Sequence, residues 1–270
     1  LSPMILDDLA AYARERVGEA EKTTPLDVLR AQAEALEPAH HAFYHMLRDD
    51  PELSFICELK KASPSKGVIS EKFPYRSILH EYMRGGANTI SCLTEPKWFM
   101  GSNEIFEDVR ANTTLPLLRK DFTVSEYQIY EAHLMQADAV LLIAALLNTD
   151  TLSRYLKLCD ELGLDALVET HDEAEIESAL AAGGRIIGVN NRNLTDFTVD
   201  FSNAERLRNL IPSSVLYVAE SGVKTPEDVG AVARIGADGV LMGEALMRAD
   251  NIVAFLQACR TAADDAYEAY

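Results

Sequence analysis

No stretch of the sequence approaches the ~18 consecutive apolar residues that a membrane helix requires. The longest apolar run, Ala139 to Leu147, is too short. The opening residues Leu1-Ser2-Pro3-Met4 carry neither a basic segment nor an apolar core, so no secretory signal is expected. Cysteine is scarce: Cys57, Cys92, Cys159 and Cys259 lie far apart, form no CxxC and sit in apolar stretches. That pattern points to buried reduced thiols and a cytoplasmic compartment. With 14 Gly and 10 Pro in 270 residues, collagen-like and low-complexity chains are excluded. Basic residues are also few, 25 Lys and Arg against 43 Asp and Glu, for a net charge of −18. Phosphate backbones and anionic membranes repel such a surface, so neither nucleic acid nor membrane is an expected partner. A small anionic ligand is still compatible, because a few local donors outweigh the mean field inside a cleft. HExxH, P-loop and GxSxG motifs are absent, and no GxGxxG follows the first β-type run.

What is present is alternation. Eight β-type runs begin at Ser54: residues 54–60, 88–93, 115–121, 137–144, 165–170, 185–190, 215–221 and 238–243. Several are nearly continuous Val, Ile and Leu, as strands buried on both faces must be. Helical patterns lie between them. Leu152, Tyr155, Leu156, Cys159 and Leu162 follow helical spacing up to Gly163. Asp172 and Glu175 form a capping-box pattern, and Thr225-Pro226 reads as a cap followed by a first-turn proline. Eight strand–helix units in residues 54–270 predict an α/β fold, a (β/α)8 TIM barrel; an open doubly wound sheet is the alternative. Residues 1–53 fall outside the repeat. Ile5, Leu9, Ala13 and Val17 predict one amphipathic helix, Thr24-Pro25-x-Asp27 starts a second, and Phe43, Met46 and Leu47 lie in a third. We expect an N-terminal helical extension packed on the barrel.

Chemistry in such a barrel collects at the C-terminal ends of the strands. Strand one ends Glu58-Leu59-Lys60, which period-two alternation turns to the same side. Strand three ends in Lys120, strand five in Glu169, strand six in Asn190 and strand seven in Glu220-Ser221. Two lysines, several carboxylates and an amide thus converge on one rim from distant segments. A structural ion-pair network is the bland explanation for any one of them. Ser221-Gly222 after strand seven and Gly243-Glu244 after strand eight predict a phosphate cradle, since glycine admits the anion to the main-chain N–H groups. Trp98 and Phe99 follow strand two and offer an apolar wall for an aromatic ligand. His41 and His45, four residues apart, have no evident third ligand, and no metal site is expected.

In the segment Ile56-Cys57-Glu58-Leu59-Lys60-Lys61-Ala62-Ser63-Pro64-Ser65-Lys66-Gly67 the chain resembles the indole-3-glycerol-phosphate synthases. Supporting segments, in order, are residues 91–95 (SCLTE), 118–122 (LRKDF), 166–169 (ALVE), 188–194 (GVNNRNL), 219–222 (AESG) and 243–248 (GEALMR). The resemblance is to the monofunctional form. Cys57 stands where Ala is usual, and Glu244 where some members have Ser. The resemblance implies closure of the indole ring of 1-(2-carboxyphenylamino)-1-deoxyribulose 5-phosphate, with loss of carbon dioxide and water, in tryptophan biosynthesis. No cofactor and no metal are implied. It assigns catalysis to Lys120, Glu169, Glu58, Lys60 and Asn190. Substrate contacts fall to Ser63, Phe99, Phe122, Leu141, Arg192 and Leu194, and the phosphate to Ser221, Gly222, Gly243 and Glu244. A monomer, or at most a weak homodimer, is expected. The sequence leaves two other uses of the same rim open: Schiff-base chemistry on Lys120 or Lys60, and a sensor that binds a sugar phosphate without turnover.

Overall fold

A computed structural model describes residues 3–190 and 201–268. Three helices come first: α1 (Pro3–Thr23), α2 (Leu26–Glu34) and α3 (Ala42–Asp49). Strands and helices then alternate: β1 (Ser54–Leu59), α4 (Tyr75–Arg84), β2 (Thr89–Leu93), α5 (Asn103–Ala111), β3 (Leu117–Lys120), α6 (Glu126–Leu134), β4 (Ala139–Ile143) and α7 (Thr149–Leu162). They continue with β5 (Asp165–Thr170), α8 (Glu173–Ala181), β6 (Ile186–Val189), α9 (Phe201–Arg208), β7 (Leu216–Ala219), α10 (Pro226–Arg234), β8 (Gly239–Met242), α11 (Glu244–Arg248) and α12 (Ile252–Glu268). The eight strands are parallel and close on themselves, β8 pairing with β1. Closure decides between the two architectures left open by the sequence: the fold is a (β/α)8 barrel, not an open sheet. A two-rung hairpin, Ala62–Ser63 against Gly67–Val68, decorates the loop after β1.

Strand parity sorts the core into two shells. Ile56, Leu118, Leu141, Leu167, Ile186, Val218 and Leu241 pack together inside the barrel. Phe55, Cys57, Ile90, Leu117, Val140, Val168, Tyr217 and Val240 pack outward with the helices. Strands other than β2, whose inner residues include Thr89 and Ser91, are therefore apolar at both parities, which explains the continuous runs in the sequence. Apart from β5, which fills its run, the strands are shorter than those runs by one or two residues at one or both ends. Lys60, Asn190, Glu220 and Ser221 accordingly lie just beyond their strands.

Helix ends mostly follow their sequence signals. Gly163 caps α7 in the left-handed conformation, φ 73°. Thr225 and Asp228 form a complete capping box on α10. Two expectations need correction. The second helix starts at Leu26 with Pro25 at the cap position and no side-chain cap bond, so Thr24 does not cap it. At α8 only half of the box forms: Asp172 accepts from Glu175 N–H, but the Glu175 carboxylate turns to His171 instead.

The first three helices run from one end of the barrel to the other. α1 lies at the C-terminal mouth, where Arg16 makes a two-pronged ion pair with Asp121, just past β3, at 2.7 and 3.0 Å. α2 runs alongside α6, with Arg30 3.0 Å from Glu126 and the Tyr127 hydroxyl donating to Thr24 O at 3.0 Å. α3 stops the N-terminal end: Asp165, the first residue of β5, accepts from Tyr44 N–H and bonds His41 Nδ1, both at 2.7 Å. Phe43 and Leu47 of α3 join the inner shell. Leu47 sits so close to Gly239 that a Cβ there would come 3.2 Å from its Cδ2. Leu47→Ala should leave a cavity in that floor and lower unfolding free energy by about 2–5 kcal/mol, read by denaturant titration. A change below about 1 kcal/mol would show that α3 contributes little to the barrel core.

Candidate active site

The inner face of the barrel turns from apolar to charged within one residue pair. Above Ile56 stands Glu58, above Leu118 stands Lys120, above Leu167 stands Glu169, and above Val218 stands Glu220. Each pair is two residues apart on one strand or at its end, so parity alone points all four side chains into the mouth. The cavity over them has a volume of about 950 Å³, within the range of small-molecule sites. Its lining takes in Leu6 and Asp7 of α1, so the N-terminal helix forms part of the wall.

Glu58 is the hub. Its Oε2 accepts from Lys120 Nζ at 3.0 Å and from Ser91 Oγ at 2.8 Å, and its Oε1 faces Lys60 Nζ at 3.7 Å. Burial alone would push the Glu58 carboxyl up. The Lys120 and Lys60 ammoniums and the Ser91 hydroxyl outweigh it and hold the group below the usual carboxylate range. Burial likewise works against the Lys120 cation, but the fields of Glu58, Glu220 and Glu169 leave its pKa above that of an ordinary lysine. Lys120 is thus a charged donor at neutral pH. The Tyr82 hydroxyl of α4 donates to Glu58 O at 2.7 Å, fixing the end of β1 from outside.

Glu169 and Glu220 form the second centre. Burial first, and then the neighbouring Glu169 carboxylate, push Glu220 well above the ordinary range. Taken as a carboxylate, Glu220 would leave both oxygens buried without a hydrogen-bond partner. A proton on Glu220 removes the buried charge, and the neighbouring Glu169 carboxylate offers that proton an acceptor. Burial would also raise Glu169, but that hydrogen bond, with His171 and Lys120 nearby, holds it lowered and ionised. Two close carboxyls are thereby driven to opposite protonation states. Room for Glu220 comes from Gly188 on β6, where any Cβ would collide with its Oε1. Gly243 does the same for Glu58, whose Oε1 would lie 3.0 Å from an added Cβ.

Around these centres, Ser63, Phe99, Phe122, Leu141, Asn190, Ser221, Gly222, Gly243 and Glu244 all line the same cavity. The Phe99 and Phe122 rings are 5.9 Å apart, and Leu141 of β4 lines the cavity with them. Trp98 takes a different course and packs edge-on against Tyr12 of α1. Ser221 Oγ donates to Asn190 Oδ1. Gly222 has φ 85°, a conformation that only glycine adopts without strain. The Glu244 carboxylate is drawn to Arg248 Nε at 3.0 Å, so its charge is partnered on its own helix. Arg192 and Leu194 lie outside the described residues. His41 is bound to Asp165 at the opposite end of the barrel, and no metal-ligating cluster occurs among the described residues.

Two members of the site carried no assigned role at the sequence level. Glu220 was placed on the rim, but nothing in a sequence shows that it faces Glu169. The sequence assigns no role to His171, although the alternation that joins Glu58 to Lys60 also joins Glu169 to His171.

A sequence profile of the family described as indole-3-glycerol phosphate synthase matches residues 6–259. The indole-3-glycerol phosphate synthase of Ruminiclostridium cellulolyticum is 51% identical over 260 residues, covering 96% of this chain and 100% of the relative. That of Leuconostoc mesenteroides is 43% identical over 259 residues, covering 95% and 99%. Among solved structures, a tryptophan synthase subunit alpha from Legionella pneumophila superposes with TM-score 0.61 at 15% identity, over 84% of this chain and 99% of that one. A thiamine phosphate pyrophosphorylase from Pyrococcus furiosus gives TM-score 0.59 at 17% identity, over 79% and 96%. At such identities the two structures speak for the barrel alone, whereas the profile and the full-length relatives place this chain in the indole-3-glycerol phosphate synthase family.

Proposed function

We propose that the chain closes the indole ring of 1-(2-carboxyphenylamino)-1-deoxyribulose 5-phosphate, releasing carbon dioxide and water to give indole-3-glycerol phosphate. The observation that carries this reading is the pairing of a charged, Glu58-bound Lys120 with an ionised Glu169 across one cavity. Attack of the carboxylate-bearing ring carbon on the ketone builds negative charge on the ketone oxygen. Lys120 Nζ donates the proton there, and loss of carbon dioxide restores the aromatic ring. The hydroxyl then leaves as water with a second proton, which we assign to the Lys60–Glu58 pair. Glu169 removes the proton from the methylene carbon beside nitrogen. Two protons go in and one comes out, so each turnover draws one from solvent to balance the carboxylate lost.

The remaining assignments follow the chemistry of the lining. Phe99, Phe122 and Leu141 offer the apolar slot for the anthranilate ring, and Ser63 stands on the loop after β1. Asn190 orients substrate hydroxyls. The main-chain N–H groups around Ser221, Gly222, Gly243 and Glu244 take the phosphate, while Arg248 holds the Glu244 side chain aside. We read residues 54–270 as the catalytic barrel and 1–53 as a layer that completes its mouth and floor. All these groups come from one chain, which supports a functional monomer. Four buried, unbridged cysteines support a reducing, cytoplasmic setting.

The test is indole fluorescence on mixing the purified chain with the carboxyphenylamino ketose phosphate, with and without chelator. Turnover unaffected by chelator is expected; no indole signal would overturn the reading. Schiff-base chemistry needs a neutral amine, and a lysine held charged by Glu58 argues against it. Borohydride with a keto-sugar phosphate should therefore leave no adduct on Lys120.

A further inference from the structure

His171 stands two residues beyond Glu169, just past β5, with its ring between two carboxylates. Its Nε2 lies 3.7 Å from Glu169 Oε2, too long for a hydrogen bond but close for a charge. Its Nδ1 lies 3.2 Å from Glu175 Oε1, and its backbone N–H donates to the same oxygen at 3.1 Å. We propose that His171, clamped by Glu175, is a positioning residue that keeps Glu169 charged and aimed at the substrate. The inference rests on the reading of Glu169 as the base of the reaction.

The geometry dictates the protonation state. Nδ1 faces a carboxylate, so it carries a hydrogen. In a neutral ring Nε2 would then turn a lone pair toward Glu169, which is repulsive. The imidazolium removes that repulsion and presents positive charge to both sides. Burial opposes the cation, but the Glu175 hydrogen bond and the fields of Glu169 and Glu175 outweigh it, and His171 is held protonated above the ordinary histidine range. Among the described residues, the groups that bear on Glu169 come from three directions: Glu220 past β7, Lys120 on β3 and His171 past β5. Lys120 is already engaged by Glu58. Asp172, beside His171, is committed to capping α8. That leaves His171 as the cation facing Glu169 from its own strand, opposite the raised carboxyl of Glu220.

The unfinished capping box of α8 is the local signature of this arrangement. A Glu at that helix position usually reaches back to the cap residue's own N–H. Here it reaches one residue further, to His171, and takes hold of both backbone and ring. A residue serving only to start the helix has no need of the ring contact.

The experiment has two readouts. In the first, the His171 ring is titrated by heteronuclear NMR in the unmodified chain and in Glu175→Gln. It should titrate above about 6.5, the unperturbed value, and move down in the variant. In the second, kcat is followed against pH for His171→Gln. Removing a neighbouring cation raises the pKa of a carboxylate, so the acid limb should shift up by about one pH unit. That is roughly a tenfold loss on the acid side, shrinking as pH rises. A His171 that titrates at or below the ordinary value overturns the proposal. So does a kcat lowered by the same factor at every pH, which is what simple loss of packing would do. The NMR titration decides the charge however His171→Gln folds. Glu169→Gln runs in parallel: if it keeps full activity, the assignment of the base fails. If it is inactive while the acid limb of His171→Gln stays put, only the role of His171 fails.

Discussion

Lys120→Ala should abolish indole formation, with kcat falling by about three orders of magnitude or more while ligand binding persists. Two losses combine. The variant removes the proton donor at the ketone oxygen, and general acid catalysis alone is typically worth ~10²–10⁴-fold. It also removes the cation that faces the developing charge in a site shielded from water. The barrel itself should survive, because Lys120 is the last residue of β3 and its ammonium lies in the mouth rather than in the apolar shell. One side effect is built into the geometry. Glu58 would retain only Ser91 and the more distant Lys60, at 3.7 Å. Its carboxyl should therefore rise as burial is less opposed. Lys120→Met, which keeps the bulk of the stem, separates lost chemistry from a collapsed cavity. Stopped-assay indole fluorescence gives kcat, and thermal stabilisation by indole-3-glycerol phosphate gives binding. Turnover within about tenfold of the unmodified chain would remove Lys120 from the role of acid.

Glu169→Gln comes second. It preserves shape and a hydrogen-bond acceptor for Glu220 but cannot take a proton. A loss of ~10²–10⁴ in kcat with little change in KM is expected, because the base acts only in the transition state. The same change relieves Glu220 of its charged neighbour, so the Glu220 carboxyl should fall back toward the usual range. An ionised Glu220 would then be a misplaced base. The single variant should keep a trace of activity, with a shifted acid limb, that disappears when Glu220→Gln is added. A kcat within threefold of the unmodified chain would refute the assignment of Glu169. Equal activities of the single and double variants would instead exclude Glu220 as the source of the residue.

Much of this site was legible in the sequence because it obeys one rule. Glu58 with Lys60, and the Ile56–Glu58, Leu118–Lys120 and Leu167–Glu169 pairs, all follow from period-two alternation along strands of a closed barrel. The barrel was the expected architecture, and the pairing of β8 with β1 supplies the closure that eight strand–helix units alone do not prove. What sequence could not supply were the relations across the barrel. Glu220 gains its proton from burial and from Glu169, which faces it from another strand. Gly188 matters because Glu220 occupies the space where its side chain would be. The helix signals failed in one informative place. Asp172-x-x-Glu175 has the letters of a capping box, but the Glu finds a better partner in His171, whose ring depends on the position of Glu169. Trp98 shows the converse: an aromatic beside the rim was a natural candidate for the ligand slot, yet α1 supplies Tyr12 as its partner.

The attachments of the first three helices bear on how the chain assembles on the ribosome. Arg16 waits for Asp121, 105 residues later, and His41 for Asp165, 124 residues later. Neither contact can form when its helix is made, since Asp121 follows the third strand and Asp165 opens the fifth. Until then Leu9, Phe43 and Leu47 have no inner shell to join and present apolar surface to the surroundings. The apolar faces of α1 and α3 therefore need cover until β3 and β5 are in place, and their docking follows the formation of those strands.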